Sequence, residues 1–281
     1  MTEEQPTSTP VIVDPAAVER AGAAEDLPLW LRSIERVLAV QRPVVMAHIR
    51  GIRRSHPHAT PEQLVRVLER RYLAAITTGG AAVGATAAVP AIGTGVALAL
   101  AATETVGFLE STALFAQSVA ELHGLPVSDP VRARALVMTM LLGRPGMELI
   151  RQFTGKTLHS VPARGTFWGE MITSTLPQFA VGPFADELKK RFIKKLLASQ
   201  GTSLVGKVIP FGIGAAIGGV GNHIAGREVV KSARSAFGPA PLRLAPELEP
   251  RDRSARSGAA QLRARIPVVR RGGRERDHDE D

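Results

Sequence analysis

The chain has 281 residues, enough for one large or two small domains, an ordinary 44% apolar fraction, and a net charge of +9. It has no cysteine, which excludes disulfides, thiolate nucleophiles and Cys-ligated zinc. Aromatics make up only 4%, so any core is built of aliphatic and small residues, and stacking platforms for nucleic acid are lacking.

Residues 1–26 carry six acids against one arginine and are rich in Pro and Ala, and they read as a disordered acidic N-terminus. They contain no basic run followed by an apolar one, so they do not read as a secretory signal, and the expected location is cytoplasmic. Helix-forming patterns begin near Asp26. A first helix places Leu29, Trp30, Ile34, Val37 and Leu38 on one side, and Pro43 restarts the chain with Val44, Val45, Ile49 and Ile52 apolar. That second helix ends in a basic stretch, Arg50 to His58, stopped by Pro57. Thr60, Pro61 and Gln63 form a capping box with proline at the first helical position, and Leu64, Val67, Leu68 and Tyr72 follow at helical spacing.

That helix runs into an uncharged stretch. No charged residue occurs between Arg71 and Glu104, and residues 73–103 hold twelve Ala, five Gly, five Thr and only eight Leu, Ile or Val. Gly80 and Gly84 continue a four-residue step of small side chains. Pro90 and Gly93 are expected to break the helix before it resumes toward His123, with Gly124 as its C-cap. Asp129 and Pro130 open another helix, carrying Val131, Ala135, Met138 and Leu142. Gly143 to Gly146 reads as a turn, followed by a short helix with Leu149 and Ile150, an irregular stretch to about Gly165, and a weaker helical pattern from Phe167 to Leu176.

Pro183 is expected to open a basic amphipathic helix. Leu188, Phe192, Ile193 and Leu196 form its apolar side, and Lys189, Lys190, Arg191, Lys194 and Lys195 crowd the rest. Such a helix suits an anionic membrane surface, where each cation contributes ~1 kcal/mol, or the solvated face of a bundle. Gly201 ends it, and Pro210 starts a last helix to about Phe237. Along that helix Gly214, Gly218, Asn222 and Gly226 recur four apart, a smooth stripe that lets another helix approach closely. Residues 239–281, with mixed charge and five prolines, read as a disordered tail. Subtracting the two ends leaves +12 on 27–238, which favours an anionic partner.

No alternating strand pattern occurs. The expected fold is therefore all-α: a multi-helix bundle over 27–238 with two Gly/Ala-rich close-packed segments and disordered ends. The ordering of motifs resembles the EcsC family of bacterial proteins. Arg70, Arg71 and Tyr72 lead into the Gly/Ala-rich stretch up to Gly95. The turn Leu122-His123-Gly124 precedes Asp129-Pro130, and IPFGIGAAIGGVGNHIAGREVVKSARSAFG, with Asn222 and the Ala233…Phe237 ending, closes the likeness. The resemblance covers about Leu29 to Gly238. It implies no defined reaction and supplies no catalytic residues.

Catalytic motifs are lacking. Thr154-Gly155-Lys156-Thr157 ends like a phosphate-binding loop, but Ile150 stands where the motif needs glycine. Gly93-Thr-Gly95 and Gly212-Ile-Gly214 lack the third glycine of a dinucleotide fingerprint. The seven histidines are dispersed, and His56 and His58 flank Pro57 with no carboxylate nearby. The expectation is therefore no cofactor, no metal and no nucleic-acid partner. Glu104, Glu110, Asn222 and His223 are polar groups on apolar helices, expected to fix helix register by hydrogen bonding.

Neither uncharged stretch is apolar enough for a confident membrane span: the eight Leu, Ile and Val of the first supply only about −4 kcal/mol of insertion free energy. The leading expectation is a non-enzymatic protein at the cytoplasmic membrane face, peripheral or shallowly inserted. It would meet an anionic membrane surface or a membrane protein and support a transporter or secretion process. A soluble helical adaptor for a protein partner is the first alternative, and a hydrolase with a site assembled from dispersed residues is the second.

Overall fold

A computed structural model describes residues 37–87, 94–158, 167–201 and 213–249. The described residues are 83% helical, with eight α-helices and no strand. These are α1 (Arg42–Ser55), α2 (Pro61–Ala87), α3 (Thr94–Leu122), α4 (Pro130–Leu142), α5 (Arg144–Leu158), α6 (Trp168–Glu170), α7 (Gln178–Gly201) and α8 (Ile213–Phe237). A π-helical turn, Met171–Thr175, continues α6, and a single 3₁₀ turn, Pro246–Leu248, follows α8.

The helix boundaries have local causes. The capping box of α2 is present, with the Thr60 N–H donating to Gln63 Oε1 at 2.8 Å and the Gln63 N–H to Thr60 Oγ1 at 3.3 Å. Asp129 caps α4 by accepting the Val131 N–H at 2.8 Å. Gly124 turns the chain out of α3 at φ 74°, and the Leu125 N–H reaches back to the Ala120 carbonyl.

Several expectations are corrected. The break after α4 is Gly143 alone, because Gly146 already lies inside α5. A methyl group on Gly146 would sit 2.7 Å from the Thr139 carbonyl oxygen, so this glycine marks a helix contact. The irregular stretch begins later than expected, since α5 continues to Leu158. Pro183 lies inside α7, which starts at Gln178. The proline removes one N–H bond near the helix start, where the carbonyl four residues back belongs to Phe179, 76% exposed. Val44, placed on the apolar side of its helix, is exposed, while Met46 takes the buried position. The packed unit also passes the expected boundary at Gly238 and runs to Leu248. Leu244 and Leu248 are buried, and Glu247 reaches Arg42 at 2.9 Å. The segment 239–248 is therefore part of the bundle. Residues 1–36, the Pro90–Gly93 break, Pro210 and the tail from 250 lie outside the described residues.

The core occupies one end of the molecule. α2 and α8 run antiparallel, as the pairs Gly80–Gly218, Ile76–Gly226 and Glu69–Arg234 show. α3 is antiparallel to α2, with the Tyr72 hydroxyl 2.9 Å from that of Thr112 and the Tyr72 ring stacked on Phe115. Against the core ends of these three helices pack α1, α4 and α6, and α5 and α7 pack on α4, with Leu136, Ile150, Ile172, Phe184 and Leu188 fully enclosed. Buried polar side chains lock this part. Glu121 accepts from Arg42 Nε at 2.5 Å, Gln117 pairs its amide with both backbone groups of Val40, and Arg132 donates to the Ile172 and Leu176 carbonyls at 2.8 and 2.7 Å.

Candidate membrane-contact surface

The aliphatic core ends at one level on all three long helices. Among the residues whose burial is described, the last buried aliphatic of α2 is Ile76, the first of α3 is Leu109, and the first of α8 is Val229. Beyond that level continue residues 77–87 of α2, the first turns of α3 and residues 213–226 of α8. No formally charged residue occurs on residues 73–87, 94–103 or 213–226. At 1.5 Å per residue this three-helix spur extends about 20 Å from the core. Its described surface is made mostly of small residues: Thr78, Gly79, Ala82, Ala99 and Thr103 are exposed, with the aliphatics Val96 at 55%, Val220 at 57% and Ile224 at 60%.

Glycine contact holds the spur together where large side chains are missing. A methyl group on Gly80 would lie 2.6 Å from the Gly218 carbonyl oxygen, and one on Gly218 would collide with the Gly80 carbonyl. Gly84 sits beside Gly218, with its Cα 3.5 Å from that position, Gly219 faces Ala81, and Gly226 seats the Ile76 side chain. Gly214 lies on the first turn of α8. Small residues therefore do here what they do between helices in lipid, where close backbone approach replaces hydrophobic burial.

Polar side chains fix the register of the same three helices. Asn222 Nδ2 donates to the Ile76 carbonyl at 3.1 Å and to Glu104 Oε1 at 2.8 Å, so one amide on α8 joins α2 and α3. Thr77 Oγ1 and His223 Nδ1 are 3.1 Å apart. The expected register role of Glu104, Asn222 and His223 matches this arrangement, whereas Glu110 is exposed. Two to three turns toward the core, the buried Glu69 carboxylate accepts from Arg234 Nε and Nη2 at 2.8 and 2.7 Å. Sequence reasoning missed this pair, because 165 positions separate its members and neither belongs to a motif.

Where the spur meets the core, exposed cations gather: Arg71 on α2, Arg227 and Lys231 on α8, against the acids Glu110 and Glu228. His48 of α1 lies close by. Its burial first, and then the Arg71 charge, hold the imidazole below its ordinary value of 6.5.

The basic helix places its cations less uniformly than the sequence suggests. Lys190 and Lys194 are exposed and Lys189 is half-buried. Arg191 pairs with Glu187 at 3.1 Å, and Lys195 Nζ donates to the Leu141 carbonyl at 2.8 Å, capping the end of α4. Leu188, Phe192 and Ile193 are buried, so the apolar side of α7 faces the protein core. Beside it a narrow cavity of about 180 Å³ is lined by Leu38, Val131, Met138 and Phe192, with Asp186 and Lys189 near its mouth.

Among the described residues no group of three metal-ligating side chains comes together, and no helix is long and apolar enough to cross a membrane. No protein-family model, curated protein or solved structure matches the chain.

Proposed function

We propose that this chain is a non-enzymatic, EcsC-like protein that attaches to the cytoplasmic face of a membrane by sinking its three-helix spur into one leaflet. One observation carries the reading: among the residues whose burial is described, the aliphatic core stops at Ile76, Leu109 and Val229, while three helices continue beyond it with no charged residue on 77–87, 94–103 or 213–226 and expose Val96, Val220 and Ile224. In water such a spur gains little from the hydrophobic effect. In lipid its helical backbone is satisfied internally and its small-residue contacts hold it together.

The dimensions fit a single leaflet. Half of a hydrocarbon core of about 30 Å is about 15 Å, which a spur of about 20 Å can fill without any helix crossing. At the spur base Arg71, Arg227 and Lys231 stand at the height of the headgroups, where each is worth ~1 kcal/mol against an anionic surface. Lys190 and Lys194 of α7 add to the positive field, whereas Arg191 and Lys195 already have partners inside the protein.

Flotation with phosphatidylglycerol vesicles tests this. The wild-type chain is expected to float, and the Val220→Asp/Ile224→Asp double variant to remain in the dense fraction at unchanged helicity. Removing three collar cations (Arg71→Gln, Arg227→Gln, Lys231→Gln) should weaken binding on the order of a hundredfold and flatten its salt dependence. A wild-type chain that never floats, even at low salt, refutes the reading.

A further inference from the structure

A second basic feature lies at the opposite end of α2, at the turn that joins it to α1. A groove of about 440 Å³ opens there, floored by Ala59 and Val67 and rimmed by His56, His58, Arg66 and Arg70. The turn is rigidly built. Arg53 Nη1 donates to the Ala59 carbonyl at 2.6 Å and to the His56 carbonyl at 3.4 Å. The His56 backbone N–H caps α1, and its Nδ1 lies 3.2 Å from the Ile52 carbonyl. Arg70 Nε donates to the Arg66 carbonyl at 3.3 Å, and their four-residue spacing places the two arginines on one side of α2.

Electrostatics make the groove one-sided. No carboxylate lines it. Arg66 pairs with Glu62 outside the groove, while Glu69, the next acid on α2, is committed to Arg234. Two arginines four apart repel when nothing sits between them, and two imidazoles face them across the turn. That arrangement is suited to an anion. A metal is disfavoured, because the histidines have arginines as neighbours and lack an acidic ligand.

We propose that this groove is a binding site for a phosphate monoester. Arg66 and Arg70 would present guanidinium forks to the phosphate oxygens, with His58 adding a ring N–H donor, while the His56 Nδ1–H is held by the Ile52 carbonyl. A phosphate fills only part of the volume, which is in the range of small-ligand sites. The organic group it is attached to rests on Ala59 and Val67. The phosphate belongs to a small soluble molecule or to a lipid headgroup, and both present the same dianion to the groove.

Calorimetric titration of the full chain with inorganic phosphate and with phenyl phosphate tests the site. Phenyl phosphate is expected to saturate one site and to bind more tightly than inorganic phosphate, because only it uses the apolar floor. The Arg66→Gln/Arg70→Gln variant, altered at two exposed positions, should bind both roughly tenfold or more weakly. The collar variant Arg71→Gln/Lys231→Gln should bind as wild type. Flotation on phosphatidic acid vesicles against phosphatidylglycerol vesicles identifies the source. A lipid ligand gives extra binding to phosphatidic acid that Arg66→Gln/Arg70→Gln removes, and a soluble one gives equal flotation on both, unaffected by that variant. No heat of binding at millimolar phenyl phosphate, or undiminished binding by Arg66→Gln/Arg70→Gln, overturns the proposal. Neither result depends on whether the spur enters a membrane.

Discussion

Gly80 and Gly218 show how much a single missing side chain can decide. Each lies against the other's carbonyl oxygen, so the two backbones touch and a Cβ on either would displace a helix. Asn222 works from the next turn by spanning two helices with one amide, and its loss would strand the Glu104 carboxylate in a partly buried position. His48 gives this scale a pH signature. Its folded-state value lies below its unfolded value of 6.5, so the unfolded chain binds the proton first as pH falls. The contribution of His48 to stability is therefore complete above about pH 6.5 and declines as pH drops toward the folded value. Denaturant titrations at several pH values should show this loss. In His48→Gln that part of the pH dependence should disappear, and an unchanged profile would assign it to other groups.

At the scale of elements, the α2–α8 pairing is the contact on which the spur depends. Gly80→Val would force the two helices apart, because its Cβ meets the Gly218 backbone carbonyl as well as the Asn222 amide, and overpacking of this kind costs about 1–3 kcal/mol. The expected result is a lower midpoint in urea together with faster amide exchange in 77–87 and 213–226, while α4 and α5 keep their protection. Uniform loss of protection throughout the bundle would mean that the spur and core unfold as one unit.

The sequence foretold these elements unevenly, for physical reasons. The capping box at Thr60, the cap at Asp129 and the Gly124 stop were legible because each is settled by residues within four positions. The four-residue glycine step marked a close-packed seam for the same reason, although the partner of each glycine was not legible, since Gly80 meets Gly218 across a long separation. Pro183 and Gly146 misled because a proline near a helix start and a glycine inside a helix both imitate boundaries. The basic side of α7 was visible as composition, but the commitments of Arg191 to Glu187 and Lys195 to Leu141 depend on tertiary placement.

For the whole molecule, the division between an aliphatic core and an uncharged spur accounts for features that composition leaves puzzling. The long Ala/Gly stretches need few leucines because their helices meet through backbone contacts at Gly80, Gly218 and Gly219. Leu244 and Leu248 extend the core past the last helix, a closure invisible in a proline-rich segment until Glu247 is seen to join Arg42. The lack of native cysteine permits a direct measurement of where the spur goes. Val220→Cys, labelled with an environment-sensitive fluorophore and mixed with anionic vesicles, is predicted to shift its emission to the blue and to be quenched by lipids brominated along the acyl chain. Emission unchanged by vesicles at low salt, with the protein folded, would contradict insertion of the spur.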